Sequence, residues 1–159
     1  MTIDYSHARE MMVERQVRPW DVLDLRVLDV LARLPREAFV AESHKALAYA
    51  DIELPLGHGQ KMMKPVVEGR MLQALEEGYR REHKRKPRFT KITMVDKLIL
   101  TLTYRCQYRS MDSIAKEYEV SLDTISDNIH WVEQTLLNAD LLESSVTCVY
   151  KTNAGTTAH

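Results

Sequence analysis

Glycine is scarce in this chain: five in 159 residues, with Gly155 in the tail the only one after Gly78. That rules out a Gly-rich strand–turn–helix of the nucleotide-binding kind in the second half, where no run of alternating strands and helices is seen either. Two cysteines, Cys106 and Cys148, supply neither a disulfide framework nor a zinc spacing. The six histidines never fall three or four residues apart, so no metal site is expected. No apolar run approaches the ~18–20 residues of a membrane helix. The charged start, MTIDYSHAREMMVERQ, lacks a signal-peptide core, and a cytoplasmic protein with no membrane partner is expected. Lysine and arginine are missing altogether from Glu117 to Tyr150.

What is present is helical periodicity. Apolar residues at Ala8, Met12, Val13 and Val17 predict an amphipathic helix from Ser6 to about Arg18, stopped by Pro19. Asp24 is placed to cap a second helix, whose Val27, Leu28, Leu31 and Leu34 form a core-facing stripe ended by Pro35. A short helical stretch, REAFVAESHKALAYAD, leads to extended IELPL and to the sequence's one Gly-x-Gly, Gly57-His58-Gly59, followed by Gln60. Tight-turn geometry is the plain reading of those two glycines. Pro65 suits the first turn of a third helix running to about His83, with Gly69 and Gly78 as weak points costing about 1 kcal/mol each.

Charge is unevenly divided. Residues 1–78 hold 10 basic and 13 acidic side chains, and residues 79–159 hold 12 and 10. Seven bases crowd into residues 79–91: Arg80, Arg81, Lys84, Arg85, Lys86, Arg88 and Lys91, against one acid, Glu82. Beyond this stretch, Thr93 with Asp96 resembles a capping box. Val95, Leu98, Ile99, Leu102 and Cys106 read as one helix face. Ser110 and Ser121 are placed to cap two more helices, carrying Met111, Ile114, Ala115 and Tyr118, then Leu122, Ile125, Ile129, Val132 and Leu136. One short strand is expected at Val146–Tyr150, ahead of a disordered end. The expected fold is mainly α, with at most short strands. The domains are residues 1–70, a shared helix and basic linker 71–92, a trihelical helix-turn-helix 93–142, and a tail 143–159.

The stretch DSIAKEYEVSLDTISDNIHWV has helix-turn-helix spacing, with Ala115, Val120 and Ile125 at five-residue intervals and Glu119 where glycine is common. With YRCQYRS and IHWVEQTL it resembles the N-terminal helix-turn-helix domain of DDE-superfamily insertion-sequence transposases, over about Met71–Leu137. The resemblance implies DNA binding without the nuclease chemistry of the acidic triad that follows in that family. The DNA-binding set is then the seven linker bases together with Ser121, Asp123, Thr124, Asp127 and His130. Acids on a recognition helix are repelled by phosphate, so contact is expected to be weak or non-specific and to come from the linker. A plain packing module with a solvated linker is the alternative.

The first half carries a different resemblance. MMVERQVRPWDVLDLRVLDVLARLPREAFV and ALAYADIELPLGHGQKMMKPVVEGRMLQAL are similar to the N-terminal region of protein-L-isoaspartate O-methyltransferases, over residues 8 to about 75. The resemblance implies that Gly57, His58, Gly59 and Gln60 border a pocket for the substrate carboxylate and for S-adenosylmethionine. Lys61, Met62 and Met63 stand where many members have a hydroxyl-bearing Thr-Ile-Ser. With no Gly-rich cofactor turn downstream, no cofactor, no catalytic residue and no enzyme activity are expected of the chain. His58 also lacks a partner acid at usable spacing.

The leading expectation is therefore a non-catalytic DNA-binding module fused to a truncated methyltransferase lid. A methyltransferase-like, S-adenosylmethionine-dependent protein or fragment that has lost its cofactor domain is the alternative. A fusion without selected activity is the third reading. A lid alone is expected to expose Val27, Leu28, Leu31, Phe39 and Leu47, and to self-associate through them unless they pack on the helical unit.

Overall fold

The computed structural model of the protein describes residues 3–84, 91–107 and 109–142. It is mainly helical and divides into two compact units, Met1–Gln73 and Ala74–His159. The expected strand at Val146–Tyr150 lies outside the described residues.

In the first unit, α1 (Tyr5–Met12) starts at Asp4, whose carboxylate accepts the His7 N–H at 3.1 Å. The expected helix does not run on unchanged to Arg18. It widens into a π-turn over Val13–Val17 and tightens into a 3₁₀ turn, Arg18–Trp20, containing Pro19. The wide turn keeps Met12, Val13 and Val17 all buried. Asp21 then reverses the chain at φ 62°. Asp24 caps α2 (Leu25–Arg33) by accepting the Arg26 N–H at 2.9 Å.

Val27, Leu28 and Leu31 are buried, which corrects the expectation that they lie exposed. Their helix packs on α1 and the π-turn, so the unit closes a small core of its own. Phe39 and Leu47 are exposed as expected. Pro65 opens α3 (Pro65–His83), and a Cβ at Gly69 would lie 3.2 Å from Val17 and 3.3 Å from Val22. Glycine there permits the close approach of helix to loop, a packing reason for tolerating its poor helix propensity.

The second unit holds α4 (Met94–Gln107), α5 (Met111–Tyr118) and α6 (Leu122–Asn138). The Thr93–Asp96 capping box forms in both directions: the Thr93 N–H donates to the Asp96 carboxylate at 2.8 Å, and the Asp96 N–H donates to Thr93 Oγ1 at 3.2 Å. Ser110 and Ser121 accept the Ser113 and Thr124 N–H groups, each at 3.2 Å. Ile92, Leu100, Ile114, Ala115, Ile125 and Ile129 form one core cluster, bordered by Tyr104, Met111, Tyr118 and Val120.

The face of α4 departs from its expected stripe. Leu98, Leu100 and Thr101 are buried, while Val95 and Ile99 are exposed. Helix α4 must pack against both α5 and α6, which turns its inner surface away from a simple one-sided stripe. Leu122, at the first turn of α6, is likewise exposed.

The α5–α6 turn places Glu119 at φ 51°, ψ 49°, the left-handed conformation that its sequence position predicts to be strained. The Val120 N–H donates to Ala115 O at 3.0 Å across this turn. A Cβ at Gly78 would come within 2.7 Å of the Thr135 methyl, so this glycine too serves a close helix approach.

Candidate functional site

Residues 54–62 form the one sheet among the described residues, an antiparallel hairpin of β1 (Leu54–Gly57) and β2 (Gln60–Met62). Leu54 pairs with Met62, Pro55 with Lys61 and Gly57 with Gln60, and the register shifts between Pro55 and Gly57. Three successive residues take positive φ: Gly57 at 91°, His58 at 50° and Gly59 at 74°. His58 and Gly59 are thus the two central residues of a tight hairpin turn in which both must be left-handed. No atom lies within 4 Å of a Cβ built on Gly57 or Gly59, so backbone conformation and not crowding demands glycine. Gly57, His58, Gly59 and Gln60 are all exposed.

Arg36, only 1% exposed, fixes the base of this hairpin. Its Nε donates to Ala48 O at 2.9 Å, one terminal nitrogen to Met63 O at 2.6 Å and the other to Glu68 Oε2 at 2.5 Å. One guanidinium thereby joins the segment after α2, the chain leading into β1, the end of β2 and the first turn of α3. Burial pushes the Glu68 carboxyl up from its ordinary range, and Arg36 pulls it back.

A second polar cluster stands beside the same segments. The Tyr49 hydroxyl donates to Glu37 and accepts from Arg9 Nε at 3.1 Å, while Gln16 donates to Tyr49 O at 3.0 Å. Burial raises the Tyr49 hydroxyl above its usual range, reinforced by Glu37. Sequence reasoning missed both clusters. The one available signal was an arginine and a glutamate inside the otherwise apolar PREAFV.

The hairpin offers hydrogen-bond donors suited to a carboxylate: the Gln60 amide, the imidazole of His58 and the Lys61 ammonium, which pairs across the hairpin with Glu53 at 3.3 Å. The described residues do not fit S-adenosylmethionine in the way methyltransferase folds hold it. The hairpin is their only sheet, and no parallel strand with a Gly-rich turn is among them.

The residues assigned to DNA are dispersed in role. Arg81 and Lys84 are exposed at the end of α3, and Arg80 is half-buried there. Arg85, Lys86 and Arg88 lie outside the described residues. Lys91 donates to Glu119 O at 2.8 Å and pairs with the Glu119 carboxylate at 3.2 Å, tying it to the α5–α6 turn. Ser121 and Thr124 are engaged in capping, with their hydroxyls 2.7 Å apart. Asp123, Asp127 and His130 are exposed along α6. Among the described residues no group of His, Cys, Asp and Glu is arranged to hold a metal, and no helix is long and apolar enough to cross a membrane.

The sequence profile of the protein-L-isoaspartate(D-aspartate) O-methyltransferase family matches residues 7–84. The chain is 47% identical over 72 residues to the protein-L-isoaspartate O-methyltransferase of Aeropyrum pernix, covering 45% of this chain and 28% of that protein. It is 38% identical over 74 residues to the enzyme of that name from a Roseiflexus species, covering 46% and 34%. With that of Burkholderia ambifaria it shares 46% identity over 73 residues, covering 46% and 23%. The chain thus spans about a third or less of the length of these relatives. The match supports the resemblance of the first half to the methyltransferases' N-terminal region. Neither the transposase resemblance nor DNA binding gains support from it.

The names also correct the expectation that the chain is not an enzyme. The relatives are enzymes, and this chain carries a fragment of their sequence. Residues 7–84 are similar to the protein-L-isoaspartate O-methyltransferases, and the hairpin Leu54–Met62 lies inside that match.

Proposed function

We propose that residues 7–84 form the substrate-side part of an S-adenosylmethionine-dependent protein-L-isoaspartate O-methyltransferase. The family match to residues 7–84 carries this reading, and the hairpin inside it supports the choice of site. The isoaspartyl carboxylate is an acceptor only, and the His58–Gly59 turn with Gln60 presents donors to it. The left-handed backbone at Gly57, His58 and Gly59 keeps that turn in one conformation before substrate arrives, and the Arg36 clamp holds its base. S-adenosylmethionine supplies the methyl group; the residues that hold it belong to the part of such an enzyme that residues 7–84 do not match.

Titration of the protein with an isoaspartyl peptide and with its aspartyl twin, read by calorimetry, tests the reading. Preference for the isoaspartyl form is expected, and Gly59→Val should remove it by forcing a β-branched residue to positive φ. Equal affinity for the two peptides sinks the proposal.

A further inference from the structure

Between Glu53 and Glu68 the chain has no acidic side chain, and His58, Lys61 and Lys64 fall within that stretch. All three are exposed. The acids that bracket them are engaged, Glu53 with Lys61 and Glu68 with buried Arg36. The hairpin therefore carries a locally basic rim, in a chain whose net charge is −1.

Lys61 is the base that stands on β2 itself, next to Gln60 and opposite Pro55 in the register. Consecutive side chains of a strand point to opposite faces. Lys61 thus does not share a carboxylate with Gln60 and reaches a different part of a bound peptide. Neighbouring Cα atoms lie about 3.8 Å apart in any trans chain, the peptide's as well as the hairpin's. A peptide whose isoaspartyl carboxylate meets the His58–Gly59 turn and Gln60 brings a residue one or two places away alongside Lys61.

The ammonium is also easily released to such a residue. Lys61 Nζ lies 3.3 Å from Glu53 Oε2, with the two side chains 66% and 46% exposed. A pair this open to water is worth little, so a peptide carboxylate displaces Glu53 at small cost. We infer that Lys61 is a specificity-determining residue, which selects isoaspartyl sites that have an aspartate or glutamate one or two residues away. The inference rests on the function proposed above and narrows its substrates to acidic stretches of polypeptide.

Four fluorescent peptides test it, isoaspartyl or aspartyl at the centre and flanked on both sides by glutamate or by glutamine. Their affinities for the full chain are read by anisotropy. The glutamate-flanked isoaspartyl peptide should bind about three- to fivefold more tightly than its glutamine-flanked twin, the worth of one exposed ion pair. Lys61→Gln should bring that ratio to about one, and Lys61→Glu should invert it. Glu53→Gln should raise it, because the competing carboxylate is gone. The ratio should also collapse between about 0.01 M and about 1 M salt, as screening shortens the reach of the charge.

Equal affinity for the two flanks, or a ratio that Lys61→Gln leaves unchanged, overturns the role of Lys61. If the isoaspartyl preference is nevertheless present, the proposed function stands without it. A Lys61-dependent flank ratio with no isoaspartyl preference does the reverse: it overturns the proposed function and leaves Lys61 as a contact for acidic peptides.

Discussion

The two units are held together by different means. The first strings short, unlike pieces together: an α-helix that turns π and then 3₁₀, further 3₁₀ turns and a hairpin. Such pieces leave backbone carbonyls that no regular ladder uses, and side chains meet them: buried Arg36 at Ala48 O and Met63 O, half-buried Gln16 at Tyr49 O and half-buried Gln73 at Asp21 O. The second unit stacks regular helices on isoleucine, leucine and alanine, with side-chain polar groups spent mainly on caps and rim pairs such as Arg105–Glu133 at 2.7 Å. Irregular backbone needs polar fastening from a distance, whereas regular helices satisfy themselves and need only a shared apolar face.

Each unit carries its own reporter, Trp20 in the first and Trp131 in the second, so the contrast can be broken one side at a time. The largest effect is expected from Arg36→Ala. It strands Glu68 and two carbonyls, and should destabilise the first unit by about 3–5 kcal/mol. Urea unfolding followed at Trp20 should show the loss, with the Trp131 transition much less affected. Equal shifts at both tryptophans would show that the units do not differ in this way.

Gly78→Ala should cost the second unit about 1–2 kcal/mol, because the new methyl meets Thr135 at 2.7 Å and outweighs the gain in helix propensity. Thr135 cannot swing away freely, since its hydroxyl donates to Trp131 O at 2.8 Å. Gly69→Ala, with neighbours at 3.2–3.3 Å, should lie closer to neutral. Melting of the two variants side by side decides whether both glycines are packing glycines.

Glu68 sharpens the contrast through pH. Burial raises its folded pKa above the ordinary 4.5, so the folded state holds this proton more tightly than the unfolded one. Its contribution therefore favours the folded state below that value and fades as pH rises through the raised pKa. The stability difference between the protein and Glu68→Gln, taken from unfolding curves across that window, should fall with rising pH. A flat or rising difference would place the Arg36 attraction above the burial effect.

The smallest change, about 0.5–1 kcal/mol, is a gain from Glu119→Gly, which relieves the left-handed strain at φ 51°. Its exposed pair with Lys91 offers little to lose. Thermal denaturation followed at Trp131 should register a small upward shift.

Much of the second unit was legible because its signals are local. A hydroxyl three residues before a free N–H is a cap wherever the helix goes, as Thr93, Ser110 and Ser121 show. Apolar residues spaced alternately four and three apart make a buried stripe, as Ile125, Ile129, Val132 and Leu136 show. The Gly57–Gly59 turn was legible for the same reason, since positive φ is a property of the residue itself. Leu122 and Ile99 fit the same periods and are nevertheless exposed, because periodicity cannot say how wide the covered arc is.

What the sequence determined by itself, then, was the set of helices, their caps and the hairpin turn, each governed by interactions within a few residues. Tertiary structure alone decided that Val27, Leu28 and Leu31 close a core within the first unit. It also decided that Arg36 is buried and that Gln73 reaches back some fifty residues to pin the Trp20 loop. These depend on groups distant in sequence arriving within 2.5–3.2 Å of one another, and no local propensity encodes that meeting.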